Sequence, residues 1–303
     1  MSELHWHPLL EEWVTVAPAR QERSYHPDPA QCPLCPTPAG GPATEIPVSD
    51  YHIAVFENRF PAFAPGHGRC EVVCYTSDHA SSLGAQSVER IRDLIEVWAD
   101  RTRELSRLPE VRYVLVFENR GEEIGVTLTH PHGQIYAYPF LPSVIDRELR
   151  AGARHRRLHG DCLYCRIIER EWAGERMVDG DQECIAFVPD FARWPFEVHL
   201  APRSHLGSLS DLGESQAQSL ARLLQSVLRR YDRLFDAPMP YVMAIHQRPV
   251  GRGYAHHHLH LEFYAAGRAR GKLKHLAGSE LGAGAFIVDV APAAAARRLR
   301  DAG

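Results

Sequence analysis

The sequence predicts an α+β fold built from two copies of one unit, with a mainly antiparallel sheet flanked by helices. Three observations predict it. Four segments recur in the same order at nearly constant spacing, each half interleaves short extended runs with one long helix, and each half opens on a Cys-x-x-Cys pair. Cys32-Pro-Leu-Cys35 is matched by Cys162-Leu-Tyr-Cys165 at an offset of 130. EVVCYTSDHASSL (71–83) lies over EVHLAPRSHLGSL (197–209), YVLVFENRG (113–121) over YVMAIHQRPVG (241–251), and HPHGQIYA (130–137) over HLHLEFYA (258–265). These offsets fall between 126 and 128, so the chain is divided into a first half, 1–145, and a second, 146–303.

The elements follow in order. After each cysteine pair come two extended runs, at 53–56 and 72–75 in the first half and at 185–188 and 198–201 in the second. A helix over 87–107 keeps Ile91, Leu94, Ile95, Trp98 and Leu105 on one face. Its counterpart over 214–235 does so with Leu220, Leu223, Leu224, Val227, Leu228 and Tyr231. Two strands close each unit, 112–117 with 133–138 and 241–245 with 259–264. The basic stretch RELRAGARHRR (147–157) reads as a solvated linker helix, the Pro-rich 32–47 as a loop around a metal knuckle, and 292–303 as a terminal helix.

Composition narrows the function. The 303 residues carry a net charge of −4, so no global basic field exists to hold nucleic acid or anionic lipid. No apolar run approaches 18 residues and the N-terminus lacks a signal-peptide profile, so a soluble cytoplasmic protein is expected. In that compartment 7 cysteines and 18 histidines point to metal ligands and not to disulfides. Zinc takes four such ligands in a tetrahedron, and the repeat supplies two sets. These are Cys32, Cys35, His79 and His130, then Cys162, Cys165, His205 and His258. An alternative second set is Glu197, His246, His258 and His260, which would leave Cys162 and Cys165 as buried thiols. A closed four-ligand site holds the fold and performs no chemistry.

The second histidine of His130-Pro131-His132 is expected to face away from the metal through strand alternation. A neutral imidazole there can attack phosphorus when its other nitrogen donates to a fixed acceptor. Gly133 is expected to clear the approach of a phosphate, and Gln134, on the face of His132, to offer an amide donor to a phosphoryl oxygen.

CPLC, His79, FENRG (117–121), HPHGQ (130–134), WPFE (194–197) and GSELGAGAF (278–286) together resemble the galactose-1-phosphate uridylyltransferases. These are a nucleotidyltransferase branch of the histidine triad superfamily, and the resemblance runs from about Trp13 to Arg300. It implies two histidine-triad-like halves and a double displacement. His132 would take UMP from UDP-glucose as a uridylyl-histidine and pass it to galactose 1-phosphate. Glutamine at 134, where triad hydrolases carry a histidine, cannot act as general acid or base, so the intermediate would await a phosphate acceptor. The second half has His260, Leu261 and Glu262 at these positions. A carboxylate repels phosphate and leucine would crowd it, so only the first half would be catalytic.

The resemblance also implies nucleotide contacts from Arg20, Arg23, Asn58 and Asn119, and a phosphate contact from Thr127. It implies hexose contacts from Lys274 and Glu280, in a segment contributed across a homodimer interface. Arg59 departs from the pattern by standing where an acidic ribose partner is common. Two other readings stay open: a phosphorylase forming an adenylyl-histidine from ADP-glucose or a dinucleoside polyphosphate, and a zinc-stabilised nucleotide-binding module without turnover.

Overall fold

A computed structural model describes residues 2–64 and 66–303. The chain opens with a separate hairpin, β1 (Glu3–His7) and β2 (Glu12–Val16), across which Trp6 pairs with Trp13. The first half then runs β3 (Ala54–Glu57), β4 (Arg69–Cys74), α1 (Val88–Leu105), β5 (Tyr113–Arg120) and β6 (His132–Tyr138). Helices α2 (Ser143–His159) and α3 (Leu163–Glu171) lead into β7 (Met177–Gly180), β8 (Cys184–Phe187) and β9 (Val198–Pro202). The second half continues with α4 (Glu214–Leu234), β10 (Tyr241–His246) and β11 (His260–Ala265). A short pair, β12 (Gly267–Ala269) and β13 (Lys272–Leu273), precedes α5 (Gly278–Ala283) and α6 (Pro292–Asp301).

One nine-stranded sheet carries both halves, in the order β3-β4-β6-β5-β10-β11-β9-β8-β7. Its pairings are antiparallel throughout. Apart from β7, which has no counterpart, the order is symmetric about the β5–β10 seam, where Phe117 pairs with Ala244 and Asn119 with Val242. The two copies are therefore joined at equivalent strands into a single sheet.

Side-chain alternation sorts the sheet into two faces. On one face Val73, Val116, Ile135, Leu200, Leu261 and Phe263 join Leu94, Trp98, Leu220 and Leu224 of α1 and α4 in one continuous core spanning both halves. The Ser87 hydroxyl starts α1 by accepting from the Arg90 N–H, which relieves one of the four unpaired donors of the first turn. The opposite face carries His132, Gln134 and Tyr136 of β6 and His260, Glu262 and Tyr264 of β11. That face carries the histidines and the glutamine that the sequence marks for chemistry.

Several elements differ from the sequence reading. The second cysteine pair opens a helix that was not marked between it and the first extended run: Cys162 caps α3, its sulfur accepting from Cys165 N–H, and Cys165 sits in the first turn. The basic stretch is helical, and the expected boundary at 145/146 falls in the first turns of α2. This helix is not wholly solvated, however, because Ile145 and Leu149 are buried against the sheet. The β1–β2 hairpin and β7 were not anticipated; β1 and β2 bury neither face fully, so they lack a clean apolar alternation.

Candidate active site and metal centres

Both Cys-Cys-His-His sets assemble. In each, one ligand atom per residue lies within 4.8 Å of the others. Cys35 Sγ is 3.3 Å from His79 Nδ1 and 3.5 Å from His130 Nδ1. Cys165 Sγ is 3.5 Å from His205 Nδ1 and 3.4 Å from His258 Nδ1. Tetrahedral zinc, with bonds of about 2.3 Å to sulfur and about 2.0–2.1 Å to nitrogen, places such atoms about 3.6 Å apart. The far side of each imidazole is fixed as a metal ligand requires. His130 Nε2 donates to the Thr76 carbonyl at 2.8 Å, His258 Nε2 to Pro202 O at 2.9 Å, and His205 Nε2 to Ala255 O at 3.0 Å. His79 Nε2 lies 3.1 Å from Thr129 Oγ1. The donor set and its orientation fit zinc at both sites.

The alternative second set does not form. His258 is taken into the cysteine site, and Glu197 lies instead with His199 and Glu262. A further cluster joins Glu148, His246, His260 and Glu262, and its donors could hold a metal ion. Sequence reasoning missed Glu148, because it sits in a stretch whose basic charge hid a single inward-facing carboxylate.

His132 opens β6 and lines a cavity of about 120 Å³ together with Arg20, Arg23, Asn58, Thr127 and Gln134. Its Nδ1–H donates to the His130 carbonyl at 2.8 Å, which leaves the lone pair on Nε2. Burial pushes its pKa below the usual 6.5 and outweighs the His130 hydrogen bond, so the ring is neutral at neutral pH. His132 does face away from the metal, but strand alternation is not the reason. Residues two apart on a strand share a face; here the strand begins at His132, and His130 belongs to the preceding bend.

Gln134 is held by its carbonyl end. Tyr136 OH donates to its Oε1 at 3.2 Å and Asn58 Nδ2 at 3.4 Å, so its amide donor is left for the cavity. Arg20 is in turn fixed by Tyr136 OH and Phe60 O, both at 3.0 Å, and Arg23 donates to Arg20 O at 2.9 Å. Tyr136, which positions both Arg20 and Gln134, is a functional residue that the sequence did not single out. Its place two residues after Gln134 on the same strand was the available signal.

Gly133 does not clear a path for phosphate. A β-carbon there would point through the sheet to the helix side, so its value lies in packing. Leu261 likewise is buried in the helix-side core and does not crowd the other face. Asn119, Lys274 and Glu280 do not line the His132 cavity. Asn119 lies on the same face of β5 as Phe117, the register partner of Gln134. Lys274 and Glu280 form an ion pair at 3.0 Å in the C-terminal segment.

The second half repeats the backbone geometry with different chemistry. His260 Nδ1 donates to His258 O at 2.8 Å, as His132 does to His130. Its Nε2, however, lies 3.3 Å from a Glu262 carboxylate oxygen, and the Tyr164 ring stacks on it with centroids 4.3 Å apart. Burial disfavours charge on His246, but Glu148 at 3.0 Å and Glu262 outweigh it and raise its pKa to about 9. The cavity beside them, about 200 Å³, is lined by Glu148 and Glu262, so carboxylates stand where the first cavity has the Gln134 amide and its arginines.

No described helix is long and apolar enough to cross a membrane. Residues 63–142 match the family described as galactose-1-phosphate uridyl transferase, N-terminal domain, and residues 149–300 its C-terminal domain. A galactose-1-phosphate uridylyltransferase of Thermotoga maritima is 39% identical over 99% of this chain and 98% of its own length. A solved structure of a uridylyltransferase superposes with a TM-score of 0.89 at 34% identity, covering 100% of this chain and 98% of that one. An ADP-glucose phosphorylase from Arabidopsis thaliana shares the fold, with a TM-score of 0.79 at 23% identity over 99% of this chain and 98% of its own. With both halves matched, the cysteine–histidine sets assembled and His132 facing a cationic cavity, the chain belongs to the galactose-1-phosphate uridylyltransferase family.

Proposed function

We propose that this protein exchanges UMP between UDP-glucose and galactose 1-phosphate through a uridylyl-histidine at His132. In the first step Nε2 attacks the α-phosphorus and glucose 1-phosphate leaves. In the second, a phosphate oxygen of galactose 1-phosphate attacks the same phosphorus and His132 departs as a neutral ring. His130 O keeps the Nδ1 proton in place through both steps. The Gln134 amide donates to a non-bridging oxygen as its negative charge concentrates in the transition state. Arg20 and Arg23 supply cationic partners for the leaving phosphate, and Asn58 and Thr127 neutral ones. The observation that carries this reading is the pairing of a neutral, backbone-anchored His132 with a Gln134 whose carbonyl is already engaged.

Zinc at the two Cys-Cys-His-His sites supplies a closed tetrahedral crosslink when bound, holding the Pro-rich loop to β4 and β6 and α3 to β9 and β11. All 7 cysteines are free of disulfides, which suits a reducing, cytoplasmic compartment. A homodimer accounts for the placement of Lys274 and Glu280 outside the cavity of their own chain. Leu281 and Ile287, 74% and 67% exposed beside that pair, suit a covering subunit.

The test is covalent labelling. UDP-glucose carrying label at the α-phosphorus, without acceptor, should leave acid-labile label on the protein that galactose 1-phosphate discharges. His132→Ala should abolish the label while metal content stays unchanged. Label from ADP-glucose discharged by inorganic phosphate would replace this reading with the phosphorylase, and no label from either would leave only nucleotide binding.

A further inference from the structure

The cavity that holds His132 is cationic, with Arg20, Arg23 and Arg59 on its wall, yet it carries one carboxylate. That carboxylate is Glu45, delivered by the Pro-rich loop that also contains Cys32 and Cys35. The loop fixes its backbone. Glu45 N–H donates to Pro33 O at 3.0 Å, the Thr44 hydroxyl donates to Cys35 O at 2.7 Å, and Pro36 bridges to Ile46. Arg59 Nη1 lies 3.3 Å from Glu45 Oε1, but the arginine side chain is 73% exposed and the glutamate only 30%. Arg59 thus reaches in from solvent, whereas Glu45 rises from a backbone fixed to the wall.

A carboxylate in a nucleotide pocket has few places to be useful. Beside a phosphate it is repulsive, and the phosphate end is already marked by His132 and Gln134. Against the base it faces an apolar wall of Leu34, Phe56, Val72 and Leu128 that needs no charge. Between these lies the ribose, whose adjacent 2′- and 3′-hydroxyls are two donors matched by the two oxygens of a carboxylate. We propose that Glu45 accepts hydrogen bonds from the ribose diol and makes the site selective for ribonucleotides over 2′-deoxyribonucleotides. This inference rests on the nucleotide-sugar reading above, and it assigns a part of the site that transfer chemistry alone does not.

Calorimetric binding of UDP and 2′-deoxy-UDP tests it on the full-length protein. Hydrogen bonds to a charged acceptor predict that the wild type binds UDP about tenfold or more tighter than 2′-deoxy-UDP. Glu45→Gln and Glu45→Ala should weaken UDP by about that factor and leave 2′-deoxy-UDP within about twofold, so that the preference collapses. Arg59→Ala should keep it. A preference that survives both Glu45 substitutions overturns the assignment, as does an equal loss for both nucleotides, which would mean that the loop alone was disturbed. A preference lost in Arg59→Ala but kept in Glu45→Gln would give the diol to Arg59 instead. Protein that takes label from UDP-glucose yet shows an unchanged preference refutes only the role of Glu45; protein that binds neither nucleotide refutes the nucleotide reading with it. If labelling comes from ADP-glucose instead, the same comparison with ADP and 2′-deoxy-ADP decides the role of Glu45.

Discussion

A β-carbon on residue 133 would lie 2.1 Å from the hydroxyl oxygen of Tyr75 and 3.0 Å from the carbonyl oxygen of Phe117. Tyr75 is fully buried, and its hydroxyl has no hydrogen-bond partner, so the ring is wedged beneath the catalytic strand by packing alone. Gly133→Ala is therefore expected to push β6 outward and to cost about 2 kcal/mol or more of stability, with kcat falling as His132 and Gln134 shift. Tyr75→Phe alone should be close to neutral, since it removes a hydroxyl that is buried and unsatisfied. Chemical denaturation of both single variants and the double variant would check this. Tyr75→Phe should recover part of the loss caused by Gly133→Ala, and strictly additive effects would contradict the contact.

Gln134→Glu recreates in the first half the carboxylate that Glu262 provides in the second. It replaces an amide donor with a negative charge facing the α-phosphate. Loss of such a donor costs about 10²–10³ in kcat, and repulsion adds to that. Single-turnover labelling from UDP-glucose should slow by about 100-fold or more. A variant that labels at the wild-type rate would remove Gln134 from the mechanism.

Metal content separates the two cysteine sites. Cys35→Ser and Cys165→Ser should each lower the zinc per chain by one, measured by inductively coupled plasma spectrometry. The first should also destabilise the wall of the His132 cavity, because Glu45 and Leu34 hang from the same loop. The second should lower the melting temperature with little effect on nucleotide affinity. Zinc that remains after Cys165→Ser would place the second ion elsewhere, with Glu148, His246, His260 and Glu262 as the next donors to substitute.

Glu118 gives the fold a pH dependence of its own. It is completely buried, and burial lifts its pKa from 4.5 to about 7 against the opposing hydrogen bond from Tyr241 and the charge of Arg120. The folded state therefore holds a proton that the unfolded chain releases at lower pH. The stabilisation is fully present below about pH 4.5 and is lost as pH rises through about 7, by at most about 3 kcal/mol. Glu118→Gln should flatten that part of the stability curve between pH 5 and 8, read from urea midpoints at each pH. An unchanged slope would show that another group titrates there.

Much of the architecture is legible in the sequence because duplication states it twice. The paired strands, α1 and α4, and the two ligand sets are all local patterns or repeated ones, and a repeat needs no knowledge of tertiary contacts. What escaped depends on distant segments meeting. Glu148 acquires meaning only when α2 packs beside β10 and β11, and Glu45 only when its loop closes over β3 and β4. Tyr136 looked like any strand tyrosine until Arg20, 116 residues earlier, was found on its hydroxyl. Alternation already sets Gly133 opposite His132 and Gln134, and so away from the phosphate; what the sequence hides is Tyr75, whose hydroxyl lies where a β-carbon at 133 would go.

The seam between β5 and β10 has a consequence for how such a molecule can change. Cutting the chain between the halves would bare a long central strand edge on each fragment, so neither is expected to persist alone in water. What would otherwise be two identical partners is here one gene product, whose two sites can mutate independently. An oligomer of identical subunits has no such freedom, since every substitution strikes each copy alike. In this chain the pocket of His260 could fill with carboxylates and a stacked tyrosine while that of His132 kept its nucleophile, and the sheet that joins them would register neither loss.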